Sequence, residues 1–219
     1  MQEWANLSRL QRFWHENGLY VLGASLVELP VGLMRNALLA RKFGVKRIKI
    51  GPRSYLRGLC CVRMGEDLAT GEGLWLDAIL RYNDQTFSPK IIVGNHVRIS
   101  HYVHITATHL VEIGDDVLIG SKVMITDHNH GHYSQLHSSP DMAPTLRPLS
   151  NDRSVVIGRN VWLADGVVVT AGSSIGEGSV ISANSVVQGS IPPFSIAGGI
   201  PATVRKRFDF ATQKWCSAE

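Results

Sequence analysis

The chain has 219 residues, of which 44% are hydrophobic and 18% charged, with a formal net charge of +4. That balance excludes a disordered chain, which lacks the apolar content to build a core, and a bundle of membrane-spanning helices, which carries fewer charges. Three cysteines, Cys60, Cys61 and Cys216, are too few and too irregularly spaced for a disulfide framework and fit reduced thiols in a cytosolic setting.

In chain order, residues 1–47 read as helical, with Pro30 bending or ending the run. The longest apolar stretch, residues 18–34, is interrupted by Glu28 and Pro30 and follows Glu3 and Glu16, which suits neither a signal peptide nor a spanning helix. The expectation is a cytoplasmic protein. Arg35, Arg41 and Lys42 beside Ala37, Leu38 and Leu39 fit two uses of this region: an amphipathic helix on the cytoplasmic face of a membrane, or a cap over the open end of a solenoid.

Ile48 and Ile50 open a second regime, loosely phased through Leu56, Val62 and Leu68. Residues 81–90, with Asn83, Asp84, Ser88 and Pro89, interrupt it as a polar loop. A strict six-residue beat follows at Val93, Ile99 and Ile105, again at Ile113, Ile119 and Ile125, and then from Ile157 through Leu163, Val169, Ile175 and Ile181 to Val187. Small residues sit just behind the apolar ones, as at Gly158, Ala164, Thr170, Gly176 and Ser182. An inward apolar residue every sixth position, followed by a small one, predicts a parallel β-helix whose coils each contain three short strands. One main domain, residues 48–203, accounts for it without a second core.

Two departures from the beat matter. Ile105 and Ile113 are eight positions apart where six suffice, which predicts a two-residue bulge at one corner. From 126 to 153 the beat stops, and a loop of that length inside a compact domain is usually functional. The tail, residues 204–219, is charged and then aromatic and reads as a short helix or an extended arm.

His128 and His130 stand at the root of the long loop, where a neutral imidazole can take a proton from a hydroxyl, and Asp127 is placed to orient a ring. No cysteine has the surroundings of a nucleophile. Basic groups at Arg35, Arg41, Lys42, Lys46, Arg47 and Lys49, and at Arg205, Lys206 and Arg207, suit phosphate or an anionic membrane face. No groove-reading or base-stacking motif accompanies them, so nucleic acid is not an expected partner.

The segment from Thr126 to Gly131 (Thr-Asp-His-Asn-His-Gly), with His137-Ser138-Ser139-Pro140, Arg147-Pro148-Leu149, Val161-Trp162-Leu163 and Gly198-Gly199-Ile200-Pro201-Ala202, resembles the hexapeptide-repeat O-acetyltransferases of bacterial O-antigen and other surface polysaccharides. That family is related to the galactoside and maltose acetyltransferases, and the resemblance covers essentially the whole chain. It implies a left-handed parallel β-helix, a homotrimer with acetyl-CoA bound between neighbouring prisms, no required metal, and direct acetyl transfer to a sugar hydroxyl, free or lipid-linked. Counted without gaps, the family's catalytic histidine falls on His130, with His128 two positions earlier as the second candidate. The resemblance assigns Trp162, Ala183 and Lys206 to the cofactor and matches Asp77 to a carboxylate that places the acceptor sugar. Gln188-Gly189 and Thr203 depart from the family's basic positions, which shifts the phosphate contacts toward Arg205 or Arg207. The loop is expected to reach over a coil of a neighbouring subunit and to be ordered there.

Two other readings use the same residues. A zinc enzyme like the γ-class carbonic anhydrases needs three ligands, and His96 and His101, with His104, His109 or a loop histidine, supply candidates. A non-catalytic trimeric scaffold needs none of the chemistry and would not bind acetyl-CoA.

Overall fold

The computed structural model describes residues 30–133, 138–150 and 153–218, which form a left-handed parallel β-helix. Each coil gives one short strand to each of three parallel sheets. The first sheet runs from Ile48–Lys49 through Leu68–Thr70, Arg98–Ile99, Leu118–Ile119, Trp162–Leu163 and Val180–Ile181 to Ser195–Gly199. The second contains Tyr55–Arg57, Trp75–Ala78, His104–Ala107, Met124–Thr126, Val168–Val169 and Val186–Val187. The third contains Val62–Met64, Lys90–Val93, Leu110–Ile113, Val155–Ile157, Ser174–Ile175 and Ser190–Ile191.

Register explains the sequence beat. Leu163 lies opposite Ile181 and Val169 opposite Val187, each pair 18 positions apart, so three six-residue sides close one coil. Ile105, Ile113, Ile119, Ile125, Ile157, Leu163 and Ile181 all point inward and are essentially inaccessible. The small residues are small because backbone follows directly overhead: a Cβ on Gly114 would lie 2.7 Å from the Arg159 nitrogen, and one on Gly158 2.7 Å from that of Glu177. A second inward row, read only weakly in the sequence, is Val161 and Val167 in the middle coils and Ser173, Ser179 and Ser185 in the last. The Ser173 and Ser179 hydroxyls donate to the Val187 and Pro192 carbonyls at 3.0 and 2.9 Å, which keeps them satisfied in an apolar interior.

The first coils are complete despite their loose phase, with Leu56 opposite Leu76 and Val62 opposite Ile91. Helical backbone covers residues 30–43 and ends at Gly44, whose positive φ of 68° allows the Val45 amide to reach the Ala40 carbonyl at 3.0 Å. The helix closes the open end of the prism. Leu39 joins the core, Arg35 donates to the Ile50 and Gly51 carbonyls, and Asn36 accepts from the Ile50 amide at 3.2 Å. Val31, Leu33, Met34 and Leu38 remain exposed on its other side. The expected helix over residues 1–29 lies outside the described residues. No described helix is long and apolar enough to cross a membrane.

At the other end the tail is extended rather than helical. Ala202–Asp209 pairs antiparallel with the edge strand Ser195–Gly199 and then with Lys214–Ser217, so the boundary expected at residue 203 falls inside a strand. Pairing satisfies the backbone groups that the edge strand would otherwise leave open, and Phe194, Phe208, Phe210 and Trp215 pack ring to ring across the hairpin.

Surplus residues leave the prism at a single corner. Between the second and third sheets, the first coil carries two extra residues in the turn Leu59–Cys61, and the next three carry a hairpin (Arg81–Tyr82 paired with Gln85–Thr86), the two-residue bulge Thr108–His109, and the long loop after Thr126. Stacking brings these three excursions together. Replacing Leu163 by alanine should lower stability by about 2–5 kcal/mol, because the rigid coils above and below cannot collapse into the space; chemical denaturation monitored by circular dichroism measures it.

Candidate active site

The bulge predicted between Ile105 and Ile113 is a receptacle for a carboxylate. Its two extra residues turn the Thr108 and His109 amides toward Asp127, one coil later, and these donate to Oδ1 and Oδ2 at 2.8 and 2.7 Å. The Thr108 hydroxyl adds a longer bond of 3.3 Å. Asp127 is fully buried, and Oδ1 also accepts from Nδ1 of His128 at 2.9 Å. Burial works against the charge, but the His128 hydrogen bond and the two amides outweigh it and hold the Asp127 carboxyl below the usual carboxylate range. An ionised carboxylate only accepts, so the His128 proton sits on Nδ1. His128 is itself 9% exposed and belongs to the wall of the site.

After His128 the two limbs of the loop zip together. Asn129 and Ser150 exchange hydrogen bonds, His130 and Leu149 form an antiparallel bridge, and the Gly131 amide donates to the Pro148 carbonyl at 2.8 Å. The His130 ring is exposed and faces the hairpin of the earlier coil, with Nδ1 3.1 Å from the Tyr82 hydroxyl. Gln85 grips the other limb like a strand, its side-chain amide donating to the Leu149 carbonyl at 3.1 Å and accepting from the Leu149 nitrogen at 2.7 Å. Ile79, Phe87 and Leu149 form a small separate core against which Tyr82 packs. The described part of the loop is therefore held by its own chain's hairpin. His137 lies outside the described residues.

Asp77 is buried on the outer side of the second sheet and paired with Arg57 Nε at 2.7 Å. It stands in register with Thr106, and Thr106 with Thr126, so one row of this face leads from Asp77 to the residue before Asp127. The adjacent row is Tyr55, Trp75, His104 and Met124, with ring centroids 4.8 Å apart for Tyr55–Trp75 and 5.3 Å for Trp75–His104. Burial pulls the His104 pKa down; Asp77 opposes this and His128 adds to it, so the three share one electrostatic environment.

The residues assigned to the cofactor gather elsewhere. Trp162 projects from the first sheet, 48% exposed, in a register row that passes through Val180 and Ile196 to Lys206. Three strand spacings separate Trp162 from Lys206, roughly 14 Å. Arg205 precedes Lys206 on the same strand, and Ala183 is exposed just after the Val180–Ile181 strand. The fold thus assembles two groups on two faces, with Asp77, Asp127, His128 and His130 at the second sheet and Trp162, Ala183, Arg205 and Lys206 at the first.

Sequence reading missed Tyr82 and Gln85 as members of the site. The only signal available was the polar interruption that contains them, since nothing local says where a hairpin will dock. Among the described residues no group of three His, Cys, Asp or Glu side chains is arranged to hold a metal ion. His96 Nδ1 is 3.2 Å from Asp116, and His101 Nδ1 accepts from the Glu72 amide at 3.1 Å.

Residues 154–189 match the family described as bacterial transferase hexapeptide (six repeats). The chain is 41% identical over 187 residues, 84% of its own length and 91% of the relative's, to WbbJ of Escherichia coli (strain K12), assigned to lipopolysaccharide biosynthesis as an O-acetyl transferase. The chain belongs to the hexapeptide-repeat acetyltransferase family. It is also 30% identical to the galactoside O-acetyltransferase of the same organism over 134 residues, 61% of each chain. Among solved structures, a hexapeptide-repeat acetyltransferase from Vibrio cholerae O1 biovar eltor complexed with acetyl-coenzyme A superposes with a TM-score of 0.52 at 25% identity, covering 81% of this chain and 78% of that one.

Asp127 links the site to stability. A group whose folded pKa is depressed stabilises above its unfolded pKa, near 4, and loses that contribution as pH falls through the folded value. Asp127→Asn should therefore cost about 1–3 kcal/mol at pH 7, and the gap to wild type should narrow in denaturation curves taken at progressively lower pH below about 4.

Proposed function

We propose that this enzyme transfers the acetyl group of acetyl-CoA directly to a sugar hydroxyl of a bacterial surface polysaccharide or its lipid-linked precursor, with His130 as general base. The observation that carries the choice of base is accessibility. Of the two histidines, His130 has an exposed ring on a limb pinned by the Leu149 bridge, whereas His128 is enclosed against Asp127. Asp127 and His128 then serve as the rigid wall that fixes where the loop leaves the coil.

Catalysis is deprotonation of a bound hydroxyl as its oxygen attacks the thioester carbonyl, with no covalent acyl-enzyme and no metal step. The exposed Tyr55 and Trp75 rings beside the Arg57–Asp77 pair suit a pyranose, whose C–H face stacks on an aromatic while its hydroxyls bond to charged groups. The Trp162 row suits an elongated thioester lying across the strands, with Arg205 and Lys206 toward its phosphates. The two groups occupy different faces of one prism. A complete site therefore draws the first sheet of one subunit toward the second sheet of another, which supports a homotrimer with sites between subunits. Exposed Val31, Leu33, Met34 and Leu38 beside Arg41 and Lys42 support peripheral contact of the helix with an anionic membrane.

His130→Ala should lower turnover by about a hundredfold or more while leaving the acetyl-CoA Kd unchanged, as measured by thiol release and calorimetric titration. Wild-type turnover in that variant would remove His130 as the base. Trp162→Ala should show the complementary pattern, with acetyl-CoA binding weakened roughly three- to tenfold in the same titration.

A further inference from the structure

We infer that Tyr82, from the hairpin of an earlier coil, is the positioning residue of the base: its phenolic oxygen holds His130 in the tautomer that carries its proton on Nδ1 and leaves Nε2 to accept the proton of the acceptor hydroxyl. The inference rests on the reading of His130 as base.

The Tyr82 hydroxyl touches two groups, Nδ1 of His130 at 3.1 Å and the Thr145 carbonyl at 2.8 Å. A carbonyl oxygen only accepts, so the single phenolic proton goes to Thr145. The lone pair of the hydroxyl then faces Nδ1, and that contact is a hydrogen bond only if Nδ1 is the donor. The phenol is itself immobilised. Its ring meets His130 edge to face with centroids 5.2 Å apart and packs on Ile79, Phe87 and Leu149, while Asn83 Nδ2 holds the same Thr145 carbonyl at 3.0 Å.

The other groups facing His130 do not select a tautomer. The Tyr133 hydroxyl donates to the His130 backbone carbonyl and in turn accepts from Arg147 Nη1 at 3.2 Å. Among the described residues no carboxylate bonds the His130 ring, in contrast to His128, whose Nδ1 is held by Asp127.

The step balances on this arrangement. Nε2 takes the proton as the sugar oxygen bonds to the acetyl carbon; the tetrahedral intermediate collapses with the C–S electron pair leaving on the CoA sulfur, and the proton passes from Nε2 to that sulfur. Throughout, the second ring proton stays on Nδ1, hydrogen-bonded to the Tyr82 oxygen, so the ring is returned to its starting tautomer without turning over.

The test uses the full chain labelled with ¹⁵N-histidine. Long-range ¹H–¹⁵N spectra of the wild type should show His130 with a protonated Nδ1, and Tyr82→Phe should convert it to a mixture of tautomers. With acetyl-CoA and p-nitrophenyl hexosides as acceptors, Tyr82→Phe should lower kcat roughly tenfold at unchanged KM for acetyl-CoA. Asn83→Ala, which loosens the same carbonyl without touching the ring, should keep both the wild-type tautomer and kcat within about twofold. An unaltered tautomer in Tyr82→Phe, or an equal loss of kcat in Asn83→Ala, overturns the inference. Failure of the base assignment is distinguishable, because it appears as wild-type turnover in His130→Ala while the tautomer signal still depends on Tyr82.

Discussion

Each coil of this prism must set its inward side chain directly over that of the coil below, and 18 residues accomplish that when every side has six. Any further residue has to leave at a corner or break the ladder. Four successive coils carry such a surplus, so that Leu56 pairs with Leu76, Leu76 with Ile105, Ile105 with Ile125 and Ile125 with Val169 across 20, 29, 20 and 44 positions. All of it emerges between the second and third sheets. The candidate site is what forms when the last three of these excursions are stacked about 5 Å apart at one corner.

The two-residue surplus after Ala107 does the structural bonding. Two residues turn their amides outward at Thr108 and His109, and a buried carboxylate one coil later occupies them. A charge at that depth is tolerable only because four donors surround it, two backbone amides, one hydroxyl and one imidazole. It also decides where the loop departs, which puts His130 opposite the hairpin. Tyr82 and Gln85 then replace the missing coil, supplying the backbone-like bonds and apolar contact that a neighbouring strand would give.

The same stacking separates the chemistry. The register row from Trp162 to Lys206 and the rows from Asp77 to Thr126 are on different sheets, and a triangular prism cannot turn two sides toward one point. On the proposed assignment of cofactor and acceptor to these two faces, a complete site would need a second copy of the chain.

By itself the sequence determined the coils, because the six-residue period of Ile, Val and Leu is a local property that any stacking must respect. It also determined that something departs at 81–90, at 105–113 and at 126–153, and it marked His128 and His130 at the loop root and, through the family resemblance, Trp162 as candidates. Tertiary structure alone decided which histidine is enclosed and which is exposed, since that depends on Asp127 meeting amides 18 and 19 residues earlier. It alone joined Tyr82 to His130, 48 residues apart, because a hairpin's partner is set by which corner the intervening coils bring beneath it. The tail's choice of strand over helix was equally non-local: the charged and then aromatic tail reads as either a short helix or an extended arm until the open edge at Ser195–Gly199 supplies the hydrogen-bond partners that make residues 202–209 a strand.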